Sequence, residues 1–94
     1  MALCKAVIKI LYYHDGLAYY GIDIVEGILK GDMSKESYYV TNSKNRLKRI
    51  LSMRYFNENV YEEFAFFTGT SLGIGIDIKR KFNIGDEISF FKQI

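Results

Sequence analysis

The dipeptide Asp15-Gly16 constrains what this chain can fold into more than any other pair of its residues. It follows AVIKILYY (residues 6–13), a β-branched and aromatic run, and apolar character resumes at Leu17. Both central residues of a type I′ turn need φ > 0, which glycine takes freely and aspartate tolerates. The pattern therefore predicts a two-residue hairpin joining strands near 4–13 and 17–29. Alternation sends Cys4, Ala6, Ile8, Ile10 and Tyr12 to one side of the first strand and Lys5 and Lys9 to the other. In the second strand Ala18, Tyr20, Ile22, Ile24 and Ile28 share a face, as in a sheet with one side in the core.

Beyond the hairpin, Lys30-Gly31-Asp32 breaks the pattern and Tyr38-Tyr39-Val40 reads as a short strand. The next segment has two readings. As a helix near 43–54, capped by Asn42 or Ser43, it places Leu47, Ile50 and Leu51 on one face. As a strand it places Leu47, Leu51, Met53 and Tyr55 on one side, interrupted by Arg49. The cap, and the lack of β-branched residues other than Ile50, favour the helix. A second helix is predicted near 58–67 from the approximate capping box of Asn59 and Glu62 and the spacing of Val60, Phe64 and Phe67. Strands near 72–79 and 87–92 follow, the latter after the turn Ile84-Gly85-Asp86-Glu87. The order predicts an α+β fold with a mostly antiparallel sheet.

At 94 residues the chain is long enough for one core, so residues 1–94 form a single domain. Its 49% hydrophobic and 26% charged residues suit a globular protein, and its small size makes a homodimer a natural way to add buried surface. One cysteine, Cys4, and one histidine, His14, supply neither an intramolecular disulfide nor a zinc set. The longest uncharged run, 64–76, is shorter than the ~18 apolar residues of a spanning helix. Lys5 and Lys9 interrupt the N-terminal apolar stretch, which argues against a secretory signal. The reading is a cytoplasmic protein with no membrane contact. Abundant Ile, Lys, Asn and Tyr without Pro or Trp match translation of an AT-rich genome, as in a phage or mobile element.

Candidate chemistry begins with NSKNRLKRILSMR, residues 42–54, where Lys44, Arg46, Lys48, Arg49 and Arg54 stand without an acidic neighbour. Such a cluster contacts phosphates, or is simply a solvated face. Lys79, Arg80 and Lys81 extend it. Tyrosines occur in adjacent pairs, so in a strand one of each pair faces outward; Tyr13 and Tyr19 are the candidates for stacking or for anchoring a partner. His14 beside Asp15 suggests a dyad, but adjacent residues orient each other poorly and no nucleophile accompanies them. The tetrapeptide Gly-Ile-Asp-Ile occurs at 21–24 and again at 75–78. A metal pair of Asp23 and Asp77 is weaker than plain outward alternation, and recurrence by composition is simpler than duplication. The glycine-rich stretch 68–75 follows a predicted helix, whereas phosphate loops precede one.

No catalytic or metal-binding residue and no cofactor is assigned. The expected function is a small non-enzymatic binding protein with a protein partner, such as a phage or mobile-element accessory protein inhibiting a host nucleic-acid-processing or defence enzyme. The alternative is direct nucleic-acid binding through 44–54; a metal-dependent nuclease or a small-ligand binder ranks lower.

Overall fold

The hairpin forms where its turn signal places it, with Asp15 and Gly16 at φ of 53° and 79° between β1 (Cys4–His14) and β2 (Leu17–Gly27). The computed structural model describes residues 2–42, 47–77 and 82–93. Among the described residues eight further strands follow: β3 (Leu29–Asp32), β4 (Ser37–Thr41), β5 (Lys48–Arg49), β6 (Ser52–Tyr55), β7 (Glu58–Asn59), β8 (Glu63–Phe66), β9 (Ser71–Gly75) and β10 (Glu87–Gln93). Every pairing among the described residues is antiparallel.

The expected α+β class is corrected to all-β: among the described residues there is no helix. The region near 58–67 is β7 and β8, joined to neighbours rather than coiled on itself. Leu29 pairs with Phe66 and Gly31 with Phe64, so aromatic side chains that fit a pleat well, and a helix less well, find cross-strand partners. The region near 43–54 contains β5 and β6, with 43–46 outside the described residues. Of the apolar face expected there, only Ile50 is buried, while Leu47 and Leu51 are exposed. The predicted strand 17–29 breaks at Gly27, whose φ of 83° turns the chain from β2 into β3.

Residues 48–55 explain why strand alternation is also broken there. β5 pairs with β4, the Ile50 N–H donates to the Tyr38 carbonyl at 2.8 Å, and the Leu51 N–H donates to the Gly75 carbonyl at 2.8 Å. β6 then continues along β9. One run of chain thus bridges the two ends of the order β4-β10-β1-β2-β9, and the sheet closes into a small barrel of six positions. Closure leaves β4 and β9 with a neighbour on each side, while among the described residues β7 is paired on one side only. The β3–β8 ribbon adds Leu29 and Phe66 to the same core, with Phe64 packed against it.

The interior is a single cluster that includes Ile8, Tyr20, Ile22, Val40, Met53, Ile74, Phe82, Ile88 and Phe90. Each such side chain contributes ~1.5–3 kcal/mol by leaving water. The ring of Phe82 meets Tyr20 edge-on at 5.4 Å. Tyr38 is 1% exposed; its hydroxyl donates to Glu36 Oε1 at 2.7 Å and accepts from the Asp32 N–H at 2.9 Å. Burial first, and then the Glu36 hydrogen bond, push the Tyr38 phenol from 10.0 up to about 12; burial alone pushes Cys4 from 9.0 up to about 12.

Both groups hold their protons more tightly folded than unfolded. Their contribution is intact below about pH 9 and is lost as pH rises towards 12. Urea melts should therefore show a midpoint at pH 11 clearly below that at pH 8, and Cys4→Ala should flatten the early part of the fall. Equal midpoints at the two pH values would contradict the assignment.

Candidate functional site

A bulge decides what the outer wall of the barrel carries. Ile8 pairs with Ile22 but Ile10, two residues on, pairs with Gly21, the next residue of β2. Lys9 is the extra residue, and alternation inverts beyond it. Ile10, Tyr12 and His14 consequently face outward, against the sequence expectation that Ile10 and Tyr12 continue the core face. Glycines on the neighbouring strands receive them. A Cβ at Gly21 would collide with Ile10, at Gly73 it would lie 2.5 Å from the Tyr12 hydroxyl, and at Gly75 2.7 Å from the Tyr19 ring. Gly21 and Gly73 are themselves directly paired.

The result is an aromatic layer lying flat on the outside of the sheet. Tyr12 stacks on Tyr19 with centroids 5.3 Å apart and planes 25° off parallel, and His14 meets Tyr19 edge-on at 5.5 Å. The Tyr19 hydroxyl donates to Ser52 Oγ at 2.5 Å. Tyr19 is 1% exposed although it lies outside the main core, so it supports its neighbours and is no contact residue. Tyr13, 64% exposed, is the open member of the predicted pair.

Beside this layer runs a groove of about 540 Å³, lined by Lys9, Tyr12, His14, Asp23, Arg54 and Ser71 with the Gly21–Gly73 backbone. Arg54 lies opposite Gly73, contacts His14 Nε2 and donates to the Asn57 carbonyl at 2.7 Å. The Ser71 hydroxyl donates to Asp23 Oδ1 at 2.5 Å.

A second surface adjoins through the β6–β7 hairpin. Rings run in contact from the buried Tyr38 to Phe64 (5.3 Å), Phe66 (5.6 Å), Tyr55 (5.0 Å) and Phe56 (4.6 Å). Phe56 and Asn57 form the two-residue turn, at φ of 51° and 63°. Phe56 is 82% exposed, Tyr61 72% and Phe67 58%. Glu58, Glu62 and Glu63 are exposed in the same stretch, and 55–67 contains no Lys or Arg.

The predicted basic patch is dispersed where it is described. Lys48 is half-buried opposite the core residue Val40, while exposed Arg49 lies opposite Tyr39, so the two point to opposite sides of the sheet. Arg54 alone joins the groove. Lys44, Arg46, Lys79, Arg80 and Lys81 lie outside the described residues. The antiparallel register puts Asp23 opposite Ser71, while the Asp77 carbonyl accepts from the Ala18 N–H. Six residues along a strand separate the two aspartates by about 20 Å, so they share no metal site. The Gly-Ile-Asp-Ile copies also differ in place: the first is inside β2, the second starts at the last residue of β9. Sequence reasoning missed Lys9 and Phe56; Asn57 next to Phe56 is the one turn signal pointing to the latter. Neither a protein-family model nor a curated protein matches the sequence.

Proposed function

We propose that this is a non-enzymatic binding protein that docks on a larger protein through the 55–67 surface, with Phe56 as its anchor. The observation that carries the reading is Phe56 itself. A bulky side chain at φ of 51° is a backbone outlier, and it holds an aromatic ring 82% in solvent. Both features cost free energy in the isolated protein, and a buried aromatic at an interface is the usual gain that offsets them. Glu58, Glu62 and Glu63, with no cation in the stretch, select a partner whose complementary surface is basic. The nucleic-acid-binding surface of a nucleic-acid-processing or defence enzyme has that chemistry. Blocking it is a role suited to a small phage or mobile-element accessory protein.

Charge reversal tests this reading. The partner is captured from host lysate, identified by mass spectrometry and purified, and its affinity is measured calorimetrically across a salt series. Glu58→Lys combined with Glu62→Lys should weaken binding at least about a hundredfold, since like charges facing across an interface cost several kcal/mol. The same reversal at exposed Glu87, on β10, should leave it within about twofold. An unchanged affinity for the double reversal would overturn the reading.

A further inference from the structure

We propose that the groove on the outer face of β1, β2, β9 and β6 binds a nucleotide unit, a planar heterocycle joined to a phosphate. This goes beyond the protein-docking surface; the two meet only at Asn57, whose carbonyl holds Arg54.

Size comes first. The groove of about 540 Å³ falls within the ~300–1,000 Å³ of small-ligand sites. Its walls then decide the ligand class. Tyr12 is fixed: Tyr19 stacks beneath one face of the ring, and the remaining surface lines the groove. A ring already immobilised loses little entropy when a base lies against it, and stacking of this kind accepts any base. Two cations, Lys9 and Arg54, line the same groove and provide for the phosphate. Arg54 is held by His14 and the Asn57 carbonyl, so its guanidinium is pre-positioned. Asp23 takes one hydrogen bond from Ser71, which leaves carboxylate acceptor capacity for an exocyclic amino group.

Other ligands fit less well. An extended peptide adding a strand needs a free edge, and β2 and β9 are paired on both sides. Duplex bases are stacked away from such a groove, so a double strand offers it only phosphate. A bare anion leaves Tyr12 unused and faces Asp23. The remaining sources are a free nucleotide and a single strand with an unstacked base.

The test is an amide chemical-shift titration of the intact ¹⁵N-labelled protein with AMP, with a six-nucleotide single-stranded DNA, and with inorganic phosphate. AMP or the oligonucleotide should move the amides of 9–12, 21–23 and 71–73. Lys9→Ala should weaken binding about tenfold, and Tyr12→Leu, which keeps an apolar cover over Tyr19, should abolish it while the spectrum stays folded. Tighter binding of the oligonucleotide identifies single strands as the source; equal binding identifies the free nucleotide. Phosphate alone moving the same amides equally would overturn the proposal. So would a groove whose amides stay still at millimolar AMP and oligonucleotide.

Discussion

Gly31→Ala should lower the stability of this protein by about 3 kcal/mol or more, the upper end of what overpacking costs. A methyl group at this position falls directly on the Tyr38 hydroxyl, with Glu36 Oε1 3.0 Å away. The clash has no easy exit. Tyr38 is 1% exposed, its ring packs edge-on against Phe64 at 5.3 Å, and its hydroxyl is tied to Asp32 and Glu36. Gly31 pairs with Phe64, so moving the backbone instead disturbs the β3–β8 ribbon that caps the core. For a domain of this size, the loss corresponds to a melting temperature lower by about 15 °C. Tyr38→Phe removes the atom nearest the new methyl, so the double variant should be more stable than the sum of the two single effects predicts. Additive losses, or a Gly31→Ala melt within about 3 °C of the parent, would show that the ribbon is looser than this packing implies.

Local chemistry was sufficient to read the first hairpin, because Asp15-Gly16 fixes its turn and the register of the residues next to it, as far as the bulge at Lys9. The last strand was legible for a similar reason: the turn at 84–85 precedes an apolar run with no competing period. What misleads in the middle of the chain is non-local. Residues 48–55 leave β4 and join β9 halfway along, so no single period describes them. The acids and aromatics of 55–67 resemble a capped helix in isolation. Their real partners, Leu29 and Gly31, lie more than thirty residues earlier. Helical spacing in a short aromatic-rich segment is therefore weak evidence when its neighbours supply free strands.

The candidate site was less legible than the fold because it depends on a single inserted residue. The bulge at Lys9 turns Ile10, Tyr12 and His14 outward, and without it the strand reads as one amphipathic ladder. The glycines at 21, 73 and 75 read in sequence as weak strand formers or a loop. In three dimensions they are the recesses into which Ile10, Tyr12 and Tyr19 fold. The basic cluster was conspicuous in sequence, yet charge density along the chain says nothing about which side of a strand each cation occupies. Lys48 and Arg49 separate for that reason, and Arg54 acquires its place from β6 alone.

Phe56→Asn should move stability and binding in opposite directions. Asparagine accepts φ near 51° and is favoured in two-residue hairpin turns, whereas phenylalanine there is strained by ~1 kcal/mol or more. Against that gain stands the edge-on contact of Phe56 with Tyr55 at 4.6 Å, an exposed pair that contributes about 0.5 kcal/mol. The net effect is a variant more stable by about 0.5 kcal/mol, with a melting temperature a few degrees higher. Its affinity for the protein partner should nevertheless fall by about thirtyfold or more, the effect of removing an interface hot spot. A merely structural role for Phe56 predicts the reverse pairing, lower stability with partner affinity retained in the folded fraction. Thermal melts and calorimetric titration of the same two purified proteins separate the cases. A folded Phe56→Asn protein that binds as tightly as the parent would remove the anchor, and with it the reason for a strained aromatic at the tip of the β6–β7 hairpin.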